Sequence, residues 1–256
     1  MTYKLFEEMR LLRVARVPHR YARQVRWLPQ IGDVVPDFKA ETTNGPLSFY
    51  EWAGESWTYL FSHPAAFTPV CTTEMVSLAA NVLNFDQRNV KLLGLCGSSL
   101  EDQRRWHGDL SRSLGAEISF PMIADTQRIL SQLFGMLHWE ESCEFAIRKS
   151  LLIGPDRKIR MISETPLLVG RNTDEVLRSI DAVQTVDAYN VGVPADWKKG
   201  QECLLLPGEC GEPRFDHWHS ARIVRSYLKF VANPWRSAPR LDRSSGTDTA
   251  PIAAAA

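Results

Sequence analysis

Apolar and polar positions along the chain follow two alternating rhythms. Trp57-Thr58-Tyr59-Leu60-Phe61-Ser62 is a short run dense in aromatic and β-branched residues, which predicts a buried strand. A loop follows. From Thr72 to about Arg88, Met75, Leu78, Ala79, Val82 and Phe85 recur at steps of three or four, which puts them on one face of a helix. Val90 to Leu95 predicts the next strand. Ser99, with Asp102 three residues on, reads as a helix cap, and Gly115 closes that segment after Leu114. A further helix is expected over Gln127 to Phe134. Ser150 to Ile153 and Lys158 to Ser163 flank the turn-rich tetrad Gly154-Pro155-Asp156-Arg157, so a β-hairpin is predicted. Thr173 to Val183 is the last strong helical pattern of this unit.

Strand, helix, strand, then hairpin and helix is the order that a thioredoxin-like fold produces, although periodicity leaves strand order open. The expected class is α/β, a thioredoxin-like three-layer sandwich with a small C-terminal α+β subdomain. The character changes after Val193-Pro194-Ala195-Asp196-Trp197, where Cys203 to Leu206 predicts a short strand inside a loop-rich, aromatic segment reaching Trp235. The chain therefore divides into a basic extension (1–30), the thioredoxin-like domain (31–190), the C-terminal subdomain (191–236) and a small, unpatterned tail expected to be disordered (237–256).

Charge narrows the choice of partner. Thirty basic residues balance thirty acidic ones, so the overall field is weak and gives no reason to expect a nucleic acid or an anionic membrane. A small or freely diffusing substrate fits better. The extension is the exception: it holds Lys4, Arg10, Arg13, Arg16, Arg20, Arg23 and Arg26 against Glu7 and Glu8. It reads either as a targeting or docking arm, or as a short solvated helix or the product of an upstream start codon. No apolar run approaches the roughly 18 residues of a membrane span, and no secretory signal pattern opens the chain. Five cysteines, at 71, 96, 143, 203 and 210, are odd in number and too sparse for a disulfide framework. A soluble protein of a reducing compartment, the cytoplasm, is expected, with no metal or other cofactor.

The chemistry concentrates in Phe61-Ser62-His63-Pro64-Ala65-Ala66-Phe67-Thr68-Pro69-Val70-Cys71-Thr72-Thr73-Glu74, between a strand and a helix. A cysteine is a nucleophile as its thiolate, so a reactive site must lower its pKa from about 8.5. The first turn of a helix does this through free N–H groups and the positive end of the dipole. Pro69 suits such a start because it has no donor to waste. Thr68 lies three residues before Cys71, close enough for its hydroxyl to orient an oxygen beside the sulfur, and Pro64 would wall a dry pocket. Taken alone, Cys71 would more often be an inert buried thiol; the residues around it argue otherwise.

Pro64, Thr68 and Cys71 fit the P-x-x-x-T/S-x-x-C motif of the peroxiredoxins, and the longer stretch resembles the S-H-P-x-x-F-T-P-V-C-T-T-E form of their 1-Cys subfamily. The resemblance runs from about Ile31 to Leu206, through Gly32 to Phe38, Phe120 to Asp125, Leu133 to Leu137, Gly170-Arg171-Asn172 and Pro194 to Lys198. It implies a thiol-dependent peroxidase that reduces hydrogen peroxide and organic hydroperoxides at Cys71 through a sulfenic acid, with an external thiol as reductant and a homodimer or higher homo-oligomer as the assembly. It also implies a catalytic arginine, placed just before the strand leading to the Gly-Pro-Asp turn, and Arg148 holds that position. Glu74 would orient Thr68 or an arginine, or simply favour the first turn of the helix; His63 would pack or hydrogen-bond. A redox-sensing or holdase-like oligomer with little turnover is the competing reading.

Three departures bear on these expectations. The residues about Lys149-Ser150 and Trp139 to Cys143 diverge from the family pattern near Arg148. Cys210, in Pro-Gly-Glu-Cys-Gly, is a candidate resolving thiol, with a 1-Cys cycle as the default. Ser56 and Asp156 match two members of the Ser-His-Asp set that gives some 1-Cys members phospholipase activity, but Tyr50 stands where the histidine would be and cannot act as the base. No such activity is expected.

Overall fold

The computed structural model describes residues 28–138, 141–142, 144–208, 213–214 and 221–236. The expected tail and all but the last three residues of the basic extension lie outside them. The chain forms two compact units, up to Ile180 and from Asp181, so the division falls inside a helix and ahead of the expected boundary at 190/191.

The first unit is built on a seven-stranded sheet. Its strands are β1 (Lys39–Thr42), β2 (Gly45–Ser48), β3 (Trp57–Ser62), β4 (Val90–Cys96), β5 (Met122–Ala124), β6 (Arg148–Ile153) and β7 (Ile159–Thr165), in the order β2-β1-β5-β4-β3-β6-β7. Parallel pairing joins β3 to β4 and β4 to β5, while β6 and β7 run antiparallel. Every residue of β3 and β6 is buried, as central strands covered on both faces must be. One face carries Leu60, Leu93, Leu95, Leu151 and Ile153 and packs against the helices α1 (Phe49–Ala53) and α5 (Ile129–Leu133). On the other, Tyr59 and Phe61 stack on each other and meet Phe85 and Phe120. The fold is thioredoxin-like, with the mixed α/β sheet expected.

The structure departs from the sequence expectations in detail. The single helix expected from Thr72 to Arg88 is two, α2 (Pro69–Ala80) and α3 (Val82–Asp86), broken at Asn81. Asn81 turns its side-chain amide onto the Ser77 carbonyl at 2.9 Å, the local competition that makes asparagine a poor helix interior. The hairpin over residues 39–48 was not anticipated, because its strands carry too few apolar residues to alternate visibly. The helix expected over 127–134 is shorter, Ile129–Leu133, since Arg128 ahead of it takes a left-handed conformation. By contrast, α4 (Leu100–Leu114) has the expected bounds: Ser99 Oγ accepts the Asp102 N–H at 3.1 Å, and Gly115 ends the helix with φ +64°.

α6 (Thr173–Tyr189) runs past the expected Val183. The second unit contains a three-stranded antiparallel sheet, β8 (Cys203–Leu204), β9 (Arg222–Arg225) and β10 (Leu228–Val231), with β10 in the middle. Val191, Trp197, Cys203 and Val231 form its core with Ala182. β8 stops at Leu204, two residues short of the strand expected from sequence.

Candidate active site

β3 ends at Ser62 and hands the chain to His63 and Pro64 above the sheet. The loop that follows turns sharply at Phe67, whose φ of +57° is rare for an aromatic residue. Thr68 is extended and stands at the N-cap position of α2 without a side-chain capping bond, Pro69 begins the helix, and Cys71 is its third residue. The Thr72 N–H closes the first turn onto the Thr68 carbonyl at 2.9 Å, so the N–H groups of Val70 and Cys71 precede the first helical bond. The helix start expected from Pro69 thus holds Cys71 in its first turn, fully buried.

Around that sulfur the structure gathers residues distant in sequence. Arg148, the first residue of β6 and 2% exposed, places Nη1 3.3 Å from Cys71 Sγ and 2.7 Å from Glu74 Oε2. Its Nε donates to the Leu167 carbonyl at 2.9 Å, which fixes the plane of the guanidinium. Arg148 lies within the strand and not just before it. Glu74, one helical turn after Cys71, also accepts from Arg171: Nε at 2.9 Å and the backbone N–H at 2.8 Å on Oε1, and Nη2 at 2.9 Å on Oε2. A single carboxylate therefore carries two arginines, and Thr68 is not its partner.

The charges account for the electrostatics. Burial alone would raise the Glu74 carboxyl, but the charge and hydrogen bonds of Arg171, together with Arg148, outweigh it and hold the group below its ordinary value. Burial opposes the Arg171 charge, and Tyr59, Glu74 and Cys71 together more than offset that, so its pKa is raised. The side chain of Arg171 also lies over the Phe61 ring, 5.2 Å from its centroid. Sequence reading placed Arg171 only within a matching segment and assigned it no role; the pairing with Glu74, 97 residues away, leaves no local trace.

Thr68 donates its hydroxyl to the Ala65 carbonyl at 3.0 Å. Pro64 is buried. His63 is 1% exposed, packs against Trp106 with ring centroids 5.6 Å apart, and neither of its ring nitrogens reaches a hydrogen-bond partner in good geometry among the described residues. His63 nonetheless acts on the neighbouring Cys96 thiol, through both charge and hydrogen bonding. Burial raises the Cys96 thiol, and His63 with the Ser98 hydrogen bonds brings it below its usual value.

Of the other thiols, Cys203 is buried and pushed up to about 11 by desolvation. Cys143 and Cys210, the candidate resolving thiol, lie outside the described residues. Ser56 Oγ bonds Asn89 Oδ1 at 2.8 Å, Tyr50 donates its hydroxyl to the Val35 carbonyl at 2.6 Å, and Asp156 accepts from Arg160 at 3.0 Å. The three positions of the hydrolase-like set are thus each engaged elsewhere. No group of three or more His, Cys, Asp or Glu side chains among the described residues is arranged to hold a metal ion.

Residues 31–162 match the model of the AhpC/TSA family. The chain is 39% identical over 206 residues to a 1-Cys peroxiredoxin of Dictyostelium discoideum, covering 80% of this chain and 86% of that one. It is 41% identical to peroxiredoxin-6 of Rattus norvegicus over 69% of this chain and 83% of the relative. Among solved structures, peroxiredoxin 6 of Arenicola marina superposes with a TM-score of 0.74 at 34% identity, covering 80% of this chain and 98% of that one. A yeast mitochondrial 1-Cys peroxiredoxin, solved for its thiol-resolving mechanism via glutathione and thioredoxin systems, gives 0.72 at 35% identity, covering 80% of this chain and all of that one.

Proposed function

The chain belongs to the AhpC/TSA family, among its 1-Cys peroxiredoxins, and from that premise we propose that Cys71 is the thiol that takes oxygen from the peroxide. The activity is that of a thiol-dependent peroxidase. One observation carries the assignment of the residue: Arg148 Nη1 lies 3.3 Å from Cys71 Sγ while Glu74 holds the same nitrogen from the other side.

In this reading the Cys71 thiolate attacks the terminal oxygen of a hydroperoxide. The S–O bond forms as the O–O bond breaks, the sulfur of Cys71 becomes the sulfenic acid, and the departing alkoxide or hydroxide takes a proton from water. Arg148 faces both the sulfur and the developing charge with a guanidinium that stays protonated, and Cys71 sits in the first turn of α2, where the positive end of the helix dipole favours negative charge. Pro64 excludes water, and Thr68 orients the bound oxygen from the edge of the helix. One external thiol then condenses with the sulfenic acid, releasing water and leaving a mixed disulfide, and a second frees Cys71. Glutathione or a thioredoxin-like dithiol fits as reductant, by analogy with the yeast relative. The same reading includes a homodimer in the cytoplasm. Balanced charge and sparse cysteines support that compartment, and the resemblance supports the dimer. The rival, a sensing or holdase-like oligomer, is not favoured by the relatives named above, which are peroxiredoxins.

Stopped-flow consumption of hydrogen peroxide by wild type, Cys71→Ser and Arg148→Ala tests the assignment, with dimedone to trap the sulfenic acid. Cys71→Ser is expected to lose both turnover and labelling, and Arg148→Ala to slow attack by about 100-fold, as removal of a charge-stabilising donor does. Equal rates for wild type and Cys71→Ser would overturn it.

A further inference from the structure

Behind the two arginines lies a pair of hydroxyls that the reaction does not touch. Tyr59 is on β3 and Ser150 on β6, strands that pair antiparallel with Phe61 opposite Ser150. Tyr59 is two residues along from Phe61 and so shares its face, a diagonal neighbour that an aromatic side chain can reach. Its hydroxyl donates to Ser150 Oγ at 2.8 Å, and Arg171 Nη1 donates to the same oxygen at 3.0 Å. Tyr59 is 1% exposed and Ser150 is fully buried.

Leu92 and Leu152 flank Tyr59 on this face, and an apolar pair in place of the hydroxyls would bury as well without their desolvation. What the hydroxyls add is a fixed acceptor for the one face of Arg171 that Glu74 does not hold. Burial raises the Tyr59 pKa, so the phenol keeps its proton and serves as donor. Both acceptor positions of Ser150 Oγ are then filled, one by Tyr59 and one by Arg171. A continuous chain results: Tyr59 to Ser150, Ser150 to Arg171, Arg171 to Glu74, Glu74 to Arg148, and Arg148 to Cys71.

We infer that Tyr59 and Ser150 are positioning residues of the peroxidase site, anchoring Arg171 so that Glu74 presents Arg148 to Cys71 in one fixed orientation. This rests on the assignment of Cys71 above and adds to it the part of the sheet that holds the charges in place. Around the sulfur the charged or titratable groups in the chain of contacts are Arg148 from β6, Glu74 from α2, Arg171 from the segment before α6, and Tyr59 from β3.

The test is the pH dependence of peroxide consumption by wild type, Tyr59→Phe, Ser150→Ala, the double variant and Cys71→Ser, with thermal melts alongside. Tyr59→Phe keeps the ring and removes only the hydroxyl. Each single variant is expected to react about threefold to tenfold more slowly at neutral pH, the loss of one buried hydrogen bond. The pH at which the rate reaches half its plateau is expected to move upward in each. The double variant is expected to be no slower than the worse single one, because both act through the same oxygen. A purely structural pair would lower the melting temperature and leave the pH profile in place; superimposable profiles for wild type, Tyr59→Phe and Ser150→Ala overturn the inference while an inactive Cys71→Ser leaves the site assignment standing. An active Cys71→Ser overturns both.

Discussion

At the scale of single residues, the site is a problem of burying charge. Glu74 and the two arginines are all under a tenth exposed, and such a group is stable only while each member has its partners. The folded Glu74 carboxyl sits below its unfolded value, so its contribution is fully present above the ordinary carboxylate range and disappears as pH falls through the folded value. His107 acts higher on the pH scale. Burial, then the charge of His63, lowers its pKa to about 4, so the fold holds the ring neutral while the unfolded chain protonates near 6.5. Stability should therefore begin to decline as pH falls below about 6.5 and go on declining towards 4. Melting temperatures measured across that window for wild type and His107→Gln check this: the variant is expected to give the flatter curve, and parallel curves would show that another group takes up the proton. Pro64, Thr68 and Cys71 were legible in the sequence because they share one loop and one helical turn. Arg148 was found only through the resemblance and Arg171 was given no role, since they lie 77 and 100 positions beyond Cys71 and meet it only through the sheet. Tyr59 and Ser150 were read simply as strand positions; their pairing depends on β-register, which periodicity does not fix.

At the scale of elements, the strand and helix rhythms located β3, β4, the β6–β7 hairpin, α4 and α6, whose capping residues or apolar density are written locally. Less of the remainder was visible. The β1–β2 hairpin is half exposed and polar, although Asn44-Gly45, with Gly45 at φ +104°, was a turn signal open to use. Asn81 breaks a helix whose apolar spacing runs through the break, so periodicity alone reads one helix. Close packing of strands is also silent in a pattern of apolar residues. At Gly94 of β4 an added Cβ would fall 2.1 Å from Met122 Sδ and 2.9 Å from Phe61 Cζ, so the glycine is what lets β5 and the Phe61 ring approach. Gly94→Ala is expected to cost about 1–3 kcal/mol by overpacking. Because Phe61 underlies Arg171, peroxide consumption should slow as well; urea unfolding together with stopped-flow rates checks both, and unchanged values in both would mean that Met122 moves aside freely.

At the scale of the whole molecule, the unsettled partner is the thiol that returns Cys71 to its starting state. Three cysteines among the described residues are free, and all are buried. Cys203 lies in the core of the second unit with a pKa of about 11, which leaves on the order of one thiolate in ten thousand at neutral pH, a poor nucleophile for a sulfenic acid. Cys96 is the last residue of β4 and fully buried, so a bulky oxidised partner has no route to it without opening the sheet. That leaves Cys143 and Cys210, of which Cys210 is the resolving candidate, or a thiol from outside the chain. A reductant that diffuses in suits a chain with no net charge, which neither attracts nor repels glutathione or a dithiol protein at long range. Peroxide-treated wild type is therefore expected to run without an interchain disulfide on a non-reducing gel, and Cys210→Ser to turn over at the wild-type rate with an external dithiol. A disulfide-linked dimer that forms in the wild type and vanishes in Cys210→Ser would replace the single-cysteine cycle with a two-cysteine one, and Cys71 would then be resolved within the assembly.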